Sequence, residues 1–119
     1  MVAKLGFTEH QIQYRIASYL RYNNIFFIET DVMSGLQYFS PKDARRFGYI
    51  AHHNKMGYVK GQSDLILLLP KRVVFVELKT EIGRQSKEQK DFESKVRDLG
   101  FEYYIWRSLE DAINFIKDL

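Results

Sequence analysis

The 119-residue sequence has no cysteine, which excludes disulfides and thiolate-bound zinc. That fits an intracellular protein without requiring one, so a soluble, cytoplasmic protein is expected, in a host cytoplasm if the chain is viral. No apolar run approaches the roughly twenty residues that a membrane span needs. The opening Met-Val-Ala-Lys-Leu-Gly lacks a signal peptide's apolar core. There is no internal repeat, low-complexity stretch or linker, and no large excess of either charge. A net charge of +3 permits nucleic-acid binding without proving it, because local arrangement matters more than the sum. At 45% hydrophobic and 15% aromatic, the chain can fill one modest core and not two, so residues 1–119 are expected to form one domain.

The chemistry-bearing residues crowd into Gly61–Lys79. Leu65 to Leu69 is a continuous apolar run, and Val73 to Leu78 is apolar and β-branched. Between them Pro70-Lys71-Arg72 supplies the turn of an antiparallel hairpin. Counting outward from Lys71 sets Asp64 level with Leu78, beside the Glu77–Lys79 end of the partner strand. Side chains alternate along a strand, so Glu77 and Lys79 share one face while Leu78 points to the other. Two carboxylates and an ammonium thus meet at one end of an apolar hairpin.

An ionised carboxylate taken out of water needs a partner, a proton or a metal. A hard divalent cation meets that need: Mg²⁺ or Mn²⁺ accepts two carboxylate oxygens, a backbone carbonyl and waters, with positions left for phosphate oxygens. Such an ion acidifies a bound water and offsets charge developing on phosphate. Lys79 would orient the attacking water or stabilise the transition state. The plainer alternative, a salt bridge of Lys79 with Asp64 or Glu77 at a sheet edge, does not require this order and spacing.

Asp64 followed after one hairpin by Glu77-Leu78-Lys79 resembles the PD-(D/E)xK signature of restriction-endonuclease-like nucleases. More narrowly, the chain resembles the virus-type replication–repair nuclease domain, VRR-NUC, over nearly its whole length. The matching positions are Glu9 and Gln13 on a first helix, Gly61 three residues before Asp64, Glu77 and Lys79 on a strand, and Gln89 on the helix after it. The Phe101–Trp106 strand and the helix after Ser108 match the family's close. Ser63 departs from the pattern, standing where many members have proline, which bears on backbone stiffness and not on ligand identity. The resemblance implies Glu9, Asp64, Glu77 and the Leu78 carbonyl as metal ligands, with Lys79 and Gln89 completing the catalytic set.

Read from residues alone, Glu9 has a sufficient structural role, since an acid in a helix's first turn favours the macrodipole. Thr8 and Gln11 form a capping box ahead of a buried stripe of Ile12, Ile16, Tyr19 and Leu20. Gln13, one turn from Glu9 on the same face, either bonds the site or is solvated. Ile25–Glu29 reads as a strand that Asp31 to Gly35 breaks. Ser40-Pro41-Lys42-Asp43 has the form of an N-cap, predicting a short helix through about Ile50 that carries Arg45 and Arg46. Beyond it, His52, His53, Asn54, Lys55, Tyr58 and Lys60 make a basic and aromatic cluster. It either holds phosphates and stacks bases or is a solvated surface with aromatic anchors. Zinc at His52-His53 is disfavoured, because adjacent histidines rarely point the same way.

After the Thr80 to Gly83 loop, Ser86 and Gln89 form a second capping box. The same Gln89 amide is wanted by the active site, and that role is favoured although one amide cannot easily serve both. Phe92, Val96 and Leu99 line the next helix's buried face, and Gly100 ends it. Ser108 is read as the last helix's N-cap with Asp111 as partner, and Ala112, Ile113, Ile116 and Leu119 form its apolar side. The order is helix, three strands, helix, strand, helix. A mixed α/β sheet flanked by helices follows, agreeing with the restriction-endonuclease-like core.

The expected function is a Mg²⁺- or Mn²⁺-dependent DNA endonuclease acting on branched DNA such as four-way junctions. Gln13, Arg45, Arg46, His52, His53, Lys55, Lys60 and Arg84 would contact the nucleic acid. Junction selectivity comes from the resemblance, whose stand-alone viral and bacterial members are similar to homodimeric resolvases. A homodimer through the aromatic Leu36–Tyr58 region is expected on the ground that so small a chain has few other exposed apolar surfaces. The alternatives are a non-catalytic DNA-binding or assembly module, a flap- or single-strand-selective nuclease, and a restriction enzyme reading base edges. The last usually needs recognition segments for which 119 residues leave little room.

Overall fold

The computed structural model describes residues 6–119. The opening stretch in which a signal-type apolar core was found wanting therefore lies largely outside the described residues. Helix α1 (Glu9–Tyr22) starts where the capping box predicts: the Gln11 amide donates to Thr8 Oγ1 at 3.2 Å and the Thr8 amide to Gln11 Oε1 at 2.9 Å. Ile12, Ile16 and Leu20 recur on its inner face and are buried. Each such side chain contributes about 2 kcal/mol on leaving water.

Strands β1 (Phe26–Glu29), β2 (Leu65–Leu69), β3 (Arg72–Leu78) and β4 (Glu102–Trp106) form one sheet in that spatial order. The first three are antiparallel neighbours, and β4 runs parallel to β3. The connection to β4 carries helix α3 (Lys87–Asp98). Alternation along the strands divides the sheet. Leu65, Leu67, Val74, Val76, Leu78 and Trp106 pack with α1 and the last helix, α4 (Leu109–Lys117), while Phe75 and Tyr103 meet Phe92 of α3 on the other side.

The structure departs from the sequence reading in several places. The short helix expected after Ser40 forms as α2 (Arg45–Lys55), starting later and running past Ile50; with a 3₁₀ turn over Met33–Tyr38 before it, it stands between β1 and β2, so the three strands are not consecutive. Ser40 does not cap α2. Its carbonyl closes a turn with the Asp43 amide at 2.9 Å, and the helix begins after Ala44, where the Asp43 carboxylate takes the Arg45 amide. Leu99 is 75% exposed because it caps α3 and does not line it. Ser108 makes no side-chain cap, and Asp111 reaches back instead to the Arg107 amide at 2.8 Å. Nor is Leu36–Tyr58 alone in exposing apolar side chains: Phe26, Ile28 and Leu68 lie open on β1 and β2.

Candidate active site

The β2–β3 hairpin turns through Pro70 and Lys71, with Leu69 paired to Arg72 and Lys71 in the left-handed region at φ 56°. Proline at the first position and a positive φ at the second are the requirements of a type II turn. A two-residue turn shifts the register by one from a count centred on Lys71. Leu65 pairs with Val76, so Asp64 lies across from Glu77 and not from Leu78. The Asp64 amide donates to the Val76 carbonyl at 3.0 Å, and the Thr30 amide donates to the Asp64 carbonyl at 2.9 Å. One carboxylate oxygen of Asp64 accepts the Leu78 amide at 2.7 Å. The backbone of β3 therefore orients the carboxylate.

Burial pushes the Asp64 carboxyl from the usual 3.8 up to about 6, against the Leu78 amide, which favours the charged form; repulsion from Glu9, Glu77 and Asp31 adds to the rise. Glu77 is fully buried, at 0% exposure. Its Oε1 accepts the Tyr103 hydroxyl at 2.6 Å, while Oε2 has no hydrogen-bond partner among the described residues. Burial and the Glu77 carboxylate hold the Tyr103 phenol far above its ordinary range, so it remains the donor. Lys79 is half-buried two residues beyond Glu77, with its amide on the Trp106 carbonyl at 3.1 Å. No ion pair among the described residues involves Lys79, Asp64 or Glu77, which removes the edge salt bridge as an account of the lysine.

Glu9, His10, Gln13, Asp31, Asp64 and Leu78 line a cavity of about 200 Å³. An adjoining cavity of about 240 Å³ is lined in part by Asp31, Tyr58, Lys60, Gln62, Asp64 and Gln89. The structure thus sets Glu9, Gln13 and Leu78 with Asp64 around one cavity, and Lys60 and Gln89 with Asp64 around the other, while Glu77 and Lys79 line neither. Gln89 does serve the capping box: its Oε1 accepts the Ser86 amide at 2.8 Å. That bond uses Oε1 and not Nε2. Gly61, at φ +87°, lies against α3 so closely that an added Cβ would come 2.6 Å from the Gln89 nitrogen. This contact sets Gln89 beside Asp64.

Asp31, read from the sequence as a strand breaker, is a fourth carboxylate at the site. Thr30 anchors it by bonding the Ser63 and Asp64 carbonyls, and the Ser34 amide caps its side chain at 3.1 Å. Its nearness to Asp64 follows from β1 pairing with β2, which no local pattern reports. Arg107 was also missed. Its Nη1 takes the Thr80 and Gly83 carbonyls at 2.8 and 2.6 Å and so ties down the loop after Lys79.

Other expected contacts lie apart from these cavities. Arg46 is spent on the Leu36 and Phe39 carbonyls, and Arg45 on Asp43 at 2.6 Å. His53 packs tilted against Tyr49 at 4.3 Å between ring centroids, with His52 edge-on to it at 5.1 Å. Lys55 and Arg84 are exposed. Among the described residues, no three histidine, aspartate or glutamate side chains stand together as a ready-made metal cluster. The donor chemistry nonetheless fits a hard cation: a buried carboxylate oxygen without a partner, and a second carboxylate held ready by a backbone amide.

A mixed sheet with helices on both faces and acidic side chains at the end of its central hairpin defines a restriction-endonuclease-like fold. Among solved structures the chain is similar to a VRR_NUC domain protein, with a TM-score of 0.70 and 16% identity over 97% of this chain and 89% of that one. The chain therefore has the VRR-NUC fold. No protein-family model matches the sequence, and no curated protein matches it. No helix among the described residues is long and apolar enough to cross a membrane.

Proposed function

We propose that the protein is a divalent-metal-dependent DNA endonuclease that selects branched DNA such as four-way junctions. One observation carries the reading: Asp64 and Glu77 face each other across the hairpin, with Glu77 fully buried and one of its oxygens unpartnered. A fold seldom leaves such an oxygen unsatisfied without a use for it. Asp64, Glu77, Glu9 and the Leu78 carbonyl would hold Mg²⁺ or Mn²⁺. When bound, the ion would supply Lewis acidity, making hydroxide from water near neutral pH and offsetting charge on the scissile phosphate.

The chain's own residues do the rest. Lys79, in no ion pair among the described residues, donates from Nζ to the attacking water or to a non-bridging phosphate oxygen as negative charge builds. Gln89 Nε2 positions the phosphate from across the Asp64 cavity. Lys60 and Gln13 are the basic and polar groups best placed to hold the strand next to the site. Two copies in a homodimer would present two such sites to the two strands of a symmetric junction. Exposed Tyr38, Phe47 and Met56 support the Leu36–Tyr58 surface as the interface.

The test compares labelled four-way junction, flap, single-stranded and linear duplex DNA with Mg²⁺, Mn²⁺ or EDTA, using wild type, Asp64→Ala and Lys79→Ala. Metal-dependent cutting of the junction that both substitutions abolish, with DNA binding retained, is expected. Equal cutting by wild type and both variants would refute the assignment. A monomer in light scattering with and without junction DNA would remove the dimer.

A further inference from the structure

We propose that Tyr103 is a positioning residue of the acidic site: its hydroxyl holds Glu77 Oε1, leaving Oε2 as the single oxygen with which Glu77 ligates a divalent cation. The inference rests on the nuclease reading only in taking Glu77 for a ligand. Its basis is the geometry of two buried side chains 26 positions apart in sequence.

Tyr103 sits on β4 opposite Phe75, and Glu77 sits opposite Ile105. The parallel register therefore sets the tyrosine two steps from the glutamate on the same face of the sheet. The phenol is fixed independently of the bond it makes. Its ring packs at 6.3 Å from Phe92, and its backbone carbonyl takes Arg97 Nη2 at 2.9 Å. Tyr103 and Glu77 are 1% and 0% exposed, so bulk water cannot stand in for the bond. A carboxylate gripped at one oxygen is held against rotation, and the ungripped oxygen is the one the structure leaves without a partner among the described residues. Partners that orient a ligating carboxylate typically contribute about 10- to 100-fold to metal affinity.

The experiment titrates Mn²⁺ into the full chain without DNA, by calorimetry or by electron paramagnetic resonance of free Mn²⁺. It compares wild type, Tyr103→Phe and Phe92→Leu. Tyr103→Phe keeps the ring and deletes the donor, and is expected to weaken Mn²⁺ binding about tenfold or more. In cleavage assays it should need proportionately more Mn²⁺ while regaining kcat at saturation. Phe92→Leu disturbs the same packing without touching the hydroxyl, and should lower the melting temperature while leaving Mn²⁺ affinity as in wild type. If Tyr103→Phe fails to fold, Tyr103→Met, which also lacks the hydroxyl and adapts its shape to the neighbouring rings, takes its place. Wild-type Mn²⁺ affinity in a folded Tyr103 variant overturns the proposal, as does a wild type that binds no Mn²⁺ at millimolar concentration. Weakened binding in the variant of a protein that cuts no DNA supports the positioning role and sinks the nuclease reading alone.

Discussion

Replacing Gly61 by alanine separates two costs that the structure distinguishes. Gly61 and Gly100 have nearly the same backbone, φ +87° and φ +86°, yet the space around them differs. At Gly100 an added Cβ meets nothing within 4 Å; at Gly61 it falls inside 3.0 Å of the Glu88 carbonyl and 2.6 Å from the Gln89 nitrogen. Both positions carry the left-handed penalty of about 1–2 kcal/mol. Only Gly61 adds the overlap, and because its neighbours are backbone atoms, relief requires moving the start of α3, at about 1–3 kcal/mol more. At about 4 °C per kcal/mol for a chain of this size, Gly100→Ala should lose about 4–8 °C in Tm and Gly61→Ala about 8–20 °C. The assay is thermal and urea unfolding followed by circular dichroism. Cleavage measured well below both melting temperatures should fall in Gly61→Ala alone, because the displaced turn carries Gln89. Equal losses of stability in the two variants would refute the close approach and, with it, the argument that Gly61 sets Gln89 beside Asp64.

Asp64 makes stability depend on pH. Its folded pKa of about 6 lies above the unfolded 3.8, so its contribution is fully present below about 3.8 and is lost as pH rises through about 6. The rise corresponds to on the order of 3 kcal/mol, reduced to about 1–2 kcal/mol by solvent screening at a half-buried site. Metal-free wild type should therefore lose stability over that window and Asp64→Asn should not; matching profiles would refute the shift. Metal needs the deprotonated ligand, so cleavage should rise with pH through the same range and lose that rise if Asp64 is not a ligand. On the sheet, Leu67→Ala should cost about 2–5 kcal/mol, since Leu67 is 0% exposed in the core, and Leu68→Ala, 40% exposed on the other face, under about 1 kcal/mol. Equal costs in urea unfolding would overturn the assignment of faces.

The local elements were legible because they depend on residues a few positions apart. The Thr8 and Ser86 capping boxes, the Ile12, Ile16, Leu20 stripe and the Leu65–Leu69 strand each arise from short-range spacing. Where competing local signals existed, the reading slipped. Ser40-Pro41 looked like a cap, but Asp43 wins the Arg45 amide and delays α2. The hairpin's register moved by one because a proline followed by a positive-φ lysine closes in two residues, not three.

By itself the sequence singled out the groups proposed to carry the chemistry. Asp64, Glu77 and Lys79 are brought together by one hairpin, and a hairpin is local. Tertiary structure alone decided what surrounds them. Asp31 comes beside Asp64 through β1–β2 pairing across more than thirty residues, with Thr30 bonding Ser63 at a separation of 33. Tyr103 reaches Glu77 only because the α3 crossover brings β4 alongside β3 in one particular parallel register. Such contacts depend on how elements dock, a sum over many side chains in the core, and no short window of sequence contains both partners.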